Sequence, residues 1–270
     1  MQRACPPPSC PSTLDPPAPL ALDAHTALFL DFDGTLADLA ERPDEVLVAP
    51  ELIATLRSLQ QSLQGALAIV SGRPMAQLDA LLDPLRLPLA GVHGAERRCA
   101  DGSVQRVNPP PLDPVQARAE ALAREIPGLI VERKPAAVAL HYRQAPQAAA
   151  RCVEVMEGAV RASAGLALLH GKMVLEAKPE GATKGHAIEA FLREPPFLGR
   201  RAVFAGDDVT DEAGFVAVHA AGGHTIKVGD GETAARHRMA TPAALRAWLA
   251  DAARALASTG AAPAVASTDP

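Results

Sequence analysis

Two carboxylates, Asp31 and Asp33, close the apolar run Ala27, Leu28, Phe29 and Leu30 in "ALFLDFDGTL". Side chains two apart on an extended backbone point the same way, so both acids face one small volume. Two anions there repel unless a cation or a shared proton holds them. A divalent cation resolves the conflict, and oxygen-only ligands favour magnesium. Gly34 permits a sharp turn after the pair and Thr35 adds a hydroxyl. A calcium loop of the EF-hand type fails on residues, because its glycine position holds Leu36 and its glutamate position holds Arg42.

Three further stretches carry related chemistry. In "GDDVTDE" (206–212), Asp207 abuts an apolar run and Asp208 follows it, while Asp211 and Glu212 suit the solvated first turn of a helix. "SGRP" (71–74) offers the Ser71 hydroxyl and turn amides as an anion cradle at a helix start. Lys184, in "EGATKG", falls in the first turn of its helix, where a cation opposes the helix dipole and calls for a nearby anion. Acids, a metal site, a hydroxyl, a lysine and amides suit phosphoryl transfer, which depends on positioning and charge neutralisation. A carboxylate can be the nucleophile there, through an aspartyl-phosphate.

The elements that must position these groups share one pattern. "ALFLD", "ALAIVSGR" and "AVFAGDD" are short, continuously apolar runs, as expected of parallel strands buried on both faces. A helix is predicted from Pro50, with Leu52, Ile53, Leu56, Leu59 and Leu63 on one face. Another is predicted from about Thr183 to Arg193, and a closing one from Pro242 with Thr241 as its cap. "HTIKVG" (224–229) reads as a further strand. Alternating strands and helices predict a doubly wound, Rossmann-like α/β sheet, whose ligands bind beyond the carboxyl ends of the strands. Each of the three runs delivers its polar group at that end.

The middle of the chain breaks this rhythm. From 109 to 179 the pattern reads helix, two strands, helix, two strands, flanked by the linkers "NPPPLDP" and "KPEGAT". The expected organisation is a catalytic core of residues 25–108 and 180–256 with an inserted α/β cap at 109–179. Residues 1–24 and 257–270 are expected to be disordered tails.

Composition narrows the function classes. The 270 residues are 48% hydrophobic but only 3% aromatic, so Ala, Leu and Val must build the core. A net charge of −5 without blocks of like charge argues against a nucleic-acid or anionic-membrane partner. Four cysteines without zinc-ligand spacing read as free thiols of a cytoplasmic protein. No apolar stretch is long enough to span a membrane.

In their order, "DFDGTL", "SGR", Lys184 in "TKG" and "GDDVTDE" resemble the four motifs of the haloacid dehalogenase superfamily of phosphatases. The resemblance implies that Asp31 attacks phosphorus and that Asp33 protonates the leaving alcohol and then activates water. Ser71 and Lys184 would hold phosphoryl oxygens. Magnesium would be bound by Asp31, the Asp33 carbonyl and Asp207, with Asp208 in support, and the insertion resembles a C2-type cap.

Within that superfamily, "GVHGAE" (91–96), "GKMVLEAKPEGATKG" and the full "GDDVTDE" resemble the trehalose-6-phosphate phosphatase family. That implies hydrolysis of trehalose 6-phosphate to trehalose and phosphate, coupled in metabolism to a trehalose-phosphate synthase. The cap residues Lys134, Arg143, Lys172, Glu176, Glu132 and His141 would grip the distal sugar. Gly34, Thr35, Gly72, Arg73, His93, Gly94 and Asp211 complete the expected substrate contacts, and Glu96 would touch substrate or cap. Related readings are a sucrose-phosphate or glycosyl-glycerate phosphatase, a phosphomutase, or a non-catalytic sensor, the last disfavoured because both Asp31 and Asp33 are present. Lys178 departs from the family's frequent arginine, and lysine lacks the bidentate fork.

Overall fold

The computed structural model describes residues 20–40 and 45–260. The expected tail at 1–19, with Cys5 and Cys10, lies outside the described residues, as do Arg42 and residues 261–270. In chain order the strands of the main sheet begin with β1 (Thr26–Leu30), β2 (Leu67–Val70), β3 (Leu89–Gly91), β4 (Glu96–Arg98) and β5 (Val104–Arg106). A second sheet follows, of β6 (Ile130–Arg133), β7 (Val138–His141), β8 (Leu166–Gly171) and β9 (Val174–Pro179). The main sheet resumes with β10 (Arg201–Gly206), β11 (His224–Val228) and β12 (His237–Met239). The helices are α1 (Pro50–Ser62), α2 (Met75–Leu81), α3 (Asp113–Glu125), α4 (Ala149–Arg161), α5 (Lys184–Leu192), α6 (Val209–Ala220) and α7 (Pro242–Gly260).

The main sheet runs β12-β11-β10-β1-β2-β3-β4-β5. It is parallel from β12 to β3, and β4 and β5 extend it antiparallel. β1 lies between β10 and β2, with Leu30 in register with both Ala205 and Ile69. All five β1 residues are buried, because helices cover both faces of a parallel sheet and leave no polar side. The aromatic-poor chain places all six of its phenylalanines in the interior, each fully buried. Phe29, Phe191 and Phe197 form a triad with centroids 5.1 to 6.1 Å apart. Burying each such ring contributes about 1.5–3 kcal/mol.

Local signals set the helix ends. Pro50 starts α1, with Glu51 in its first turn and Leu52, Leu56 and Leu59 buried. Thr183 caps α5 by accepting from the His186 amide at 3.1 Å, which fixes where Lys184 begins. The tails differ from expectation at their inner edges. Leu22 is buried in the core, and Asp23 accepts from Thr26 and from Arg201, so residues 20–24 are held against the sheet. α7 likewise continues to Gly260.

The second sheet, ordered β6-β7-β9-β8, is antiparallel. Strand alternation divides its residues. Val138, Leu140, Leu166, Leu175 and Ala177 pack on α3 and α4 in their own core cluster. Glu132, Lys134, His141, Leu169 and Glu176 face the carboxyl ends of β1, β2 and β10 across a cleft. This sheet and its two helices form the cap. Cap, core and connector meet in a small cluster of Val92, Ala95, Ala136, Ala137 and Ala182. No helix among the described residues is long and apolar enough to cross a membrane.

Candidate active site

Four chain turns at the carboxyl edge of the main sheet build the floor of the cleft, whose volume is about 650 Å3. Asp31 extends β1 by one ladder bond, its amide donating to Ala205 at 2.9 Å, and its carboxylate is buried. Lys184 donates to Asp31 Oδ1 at 2.7 Å, and Thr35 Oγ1 lies 3.2 Å from Oδ2. Thr35 Oγ1 is also 3.2 Å from Asp207 Oδ1. One hydroxyl proton serves two carboxylates, so repulsion between Asp31 and Asp207 is only partly relieved.

The electrostatics carry the same imbalance. Burial raises Asp31 well above the ordinary carboxylate range, and Asp211 adds to the rise against Lys184. Burial and then the Asp211 charge push Asp207 up to about 6. Lys184 moves further up, because Asp211 and Asp31 outweigh its desolvation. An oxygen from each of Asp31, Asp207 and Asp211 lies within 4.8 Å of the others. Such oxygen-only crowding fits a hard divalent cation. Asp211 is already committed, to Lys184 at 2.7 Å and to the amides of Asp207 and Asp208 at 3.0 Å each. Of these three, Asp31 and Asp207 have the oxygens that could take a metal.

Beside them, Asp33 is gripped by the Arg73 fork, Nε to Oδ2 at 2.6 Å and a terminal nitrogen to Oδ1 at 2.7 Å. Arg73 also lies over the Phe32 ring, 5.8 Å from its centroid. Ser71 follows β2, its amide bonded to Ala90 O at 2.8 Å and its hydroxyl accepting from the Arg73 amide at 3.2 Å. The turn beyond Asp33 requires Gly34, whose φ is +79° and where a Cβ would lie 2.2 Å from Asp207 Oδ2.

The acids of the cap roof are each paired with a base. Lys134 donates to Glu176 at 2.5 Å and reaches the core at Gly72 O, 3.1 Å away. Burial would raise Glu176, but Lys134 and then His93 hold it far below the ordinary range. His141 pairs with Glu132 at 3.0 Å, and Arg143 crosses to the core at Ala40 O, 3.3 Å away. Lys172 lines the cleft from the β8–β9 turn.

The trehalose-phosphatase family model matches residues 29–245. The chain belongs to the trehalose-phosphatase family. The trehalose-6-phosphate phosphatase of Escherichia coli (strain K12) is 44% identical over 230 residues, covering 84% of this chain and 86% of that protein. The probable trehalose-phosphate phosphatase of Sinorhizobium fredii is 49% identical over 205 residues, 75% of this chain and 77% of that one. Among solved structures, the C-terminal domain of the C. albicans trehalose-6-phosphate phosphatase superposes with a TM-score of 0.78 at 20% identity, covering 86% of this chain and 93% of that one. The fold is the haloacid dehalogenase type, a Rossmann-like core with an inserted α/β cap.

The residues that carried the family resemblance gather at this cleft. Asp31, Asp33, Ser71, Gly72, Arg73, His93, Glu132, Lys134, His141, Arg143, Lys172, Glu176, Lys184, Asp207 and Asp208 all line it. Gly34, Thr35, Gly94 and Asp211 lie behind its wall. Thr35 and Asp211 have no exposed surface, because one bridges two acids and the other anchors Lys184. A Cβ on Gly94 would lie 3.1 Å from the Thr183 carbonyl oxygen. Glu96 accepts from the Met75 amide at 3.0 Å and so caps α2. Lys178 donates to Ala182 O within the cap-to-core connector.

One group has no counterpart in the sequence reading. Lys227, buried on β11, donates to the Asp207 carbonyl and holds that loop from below. "HTIKVG" announced a strand, and a lysine inside it was the available signal, since buried lysines need an acceptor.

Proposed function

We propose that the protein hydrolyses trehalose 6-phosphate to trehalose and inorganic phosphate through an aspartyl-phosphate on Asp31. The observation that carries this reading is the joining of two sites in one cleft. A buried carboxylate lies against Lys184 at 2.7 Å, and a roof of paired polar groups faces it. Asp31 attacks phosphorus as the bond to the sugar oxygen breaks, and Asp33 gives that oxygen its proton. The Asp33 carboxylate then takes a proton from the water that attacks phosphorus, which frees phosphate and restores Asp31. Lys184, the Ser71 hydroxyl and the turn amides hold the phosphoryl oxygens as charge develops.

Asp31, Asp207 and the Asp33 carbonyl would hold magnesium, with Asp208 in support. When bound, the ion neutralises negative charge on the nucleophile and the phosphoryl group. Arg73 fixes the orientation of Asp33, and the cap excludes bulk water. A cytoplasmic location and metabolic coupling to a trehalose-phosphate synthase belong to the same proposal.

Phosphate release from a panel of sugar phosphates, with and without magnesium, tests it. Preference for trehalose 6-phosphate and dependence on magnesium are expected. Equal rates across the panel would remove the sugar assignment and leave a general phosphatase.

A further inference from the structure

We infer that His93 is a positioning residue. From the core it holds the cap carboxylate of Glu176 for the sugar and ties cap closure to the phosphate-binding turn. The inference rests on the reading of the chain as a trehalose 6-phosphate phosphatase.

The backbone gives the first reason. Val92 and His93 have φ of +47° and +56°, left-handed conformations that such residues hold only where the surroundings enforce them. The enforcement comes from the turn after β2. The Val92 amide donates to Arg73 O and the His93 amide to Ser71 O, each at 2.9 Å. This bend lays the imidazole over Gly72, where a Cβ would come within 2.7 Å of the ring. The fold thus accepts an unfavourable bend and a glycine to put this ring between the phosphate turn and the cap.

The second reason is an orphaned atom. Glu176 Oε1 is buried without a hydrogen-bond partner, and His93 Nε2 lies 3.5 Å from it. A movement of about half an ångström would make that contact an ordinary hydrogen bond. The other oxygen of Glu176 accepts from Lys134, which also donates to Gly72 O. A closed circuit results, from the Ser71 turn through His93, Glu176 and Lys134 back to Gly72. Burial lowers the basicity of His93 against the pull of Glu176, and Glu176 selects the tautomer that carries the proton on Nε2.

Two substitutions separate positioning from bulk. His93→Asn suits the left-handed backbone, but its amide reaches only the Nδ1 position. His93→Gln carries an N–H to the neighbourhood of Nε2. With trehalose 6-phosphate, His93→Asn is expected to raise KM about tenfold, a hydrogen bond to a charged group, with a smaller change in kcat. Its kcat/KM for that substrate should fall about tenfold further than for p-nitrophenyl phosphate, which has no sugar for the cap to hold. His93→Gln should recover most of the loss. Adding Glu176→Gln to His93→Asn should cost little more than Glu176→Gln alone, since the two act as a unit.

Equal losses on both substrates, an unchanged KM, or additive effects with Glu176→Gln would overturn the inference. A wild-type protein that cleaves p-nitrophenyl phosphate without preferring trehalose 6-phosphate would overturn the functional reading instead.

Discussion

The floor and the roof of the cleft are both dense with charge and differ in balance. On the floor, acids crowd one another and Asp31 and Asp207 are displaced upward. On the roof, each acid has its own base, and Glu176 and Glu132 are displaced downward against their burial. An unbalanced anionic floor suits a cation and, through it and Lys184, a phosphate. A roof of paired acids and bases, with Arg143 and Lys172 beside them, offers many donors and acceptors to a ligand rich in hydroxyls. Opposite displacements of the carboxylates on floor and roof thus agree with the proposed substrate, its phosphate toward the floor and its sugar toward the roof.

The largest expected effect breaks the floor. Asp31→Asn should lower turnover by at least ~10^3-fold on every substrate, because an amide is a poor nucleophile. Appreciable residual phosphate release in a single-turnover assay would refute the aspartyl-phosphate. On the roof, Lys134→Ala should raise KM for trehalose 6-phosphate by about 10–100-fold, the range for a hydrogen bond to a charged group. Steady-state kinetics showing the same loss with p-nitrophenyl phosphate would erase the distinction between the two sites.

A gentler test uses pH. Asp207 is raised from 3.8 to about 6 in the fold, so the folded protein binds a proton more tightly than the unfolded chain. Stability of the metal-free protein should therefore fall as pH rises through that window. A divalent cation bound between Asp31 and Asp207 would relieve the cost, so the effect of magnesium on Tm should be larger at about pH 8 than at about pH 5. An equal shift at both values would mean the ion does not bind at the crowded acids.

The roof should respond in the opposite sense, and least. Glu176 is lowered from 4.5, so its contribution is present above that value and lost as pH falls below it. Glu176→Gln should lower Tm by a few degrees near neutrality, and the gap to wild type should close in acid.

Much of the floor was legible because buried parallel strands are written as unbroken apolar runs. Asp31, Ser71 and Asp207 each mark the end of one. The cap showed through its change of rhythm. Less legible were β3, β4 and β5, three residues each, too short for any period to register. Asp211 read as a solvated helix start or a substrate contact, and only tertiary packing places it under Lys184. The Arg73–Asp33 fork spans forty residues, and no local pattern announces it. Lys227 was signalled by its place inside a strand, but its acceptor, a backbone carbonyl twenty residues away, was not.

The central place of β1 has a consequence for how the protein is made. Thr26 sits beside Arg201, so one flank of that strand stays unpaired until the last third of the chain is synthesised. At roughly 5–20 residues per second on the ribosome, the wait is on the order of ten to thirty seconds. The strands of the cap pair only with one another and can assemble during that interval. Asp31 emerges early, whereas Lys184 and Asp207 come late. No complete phosphatase exists on a nascent chain until the sheet is ready to close around it.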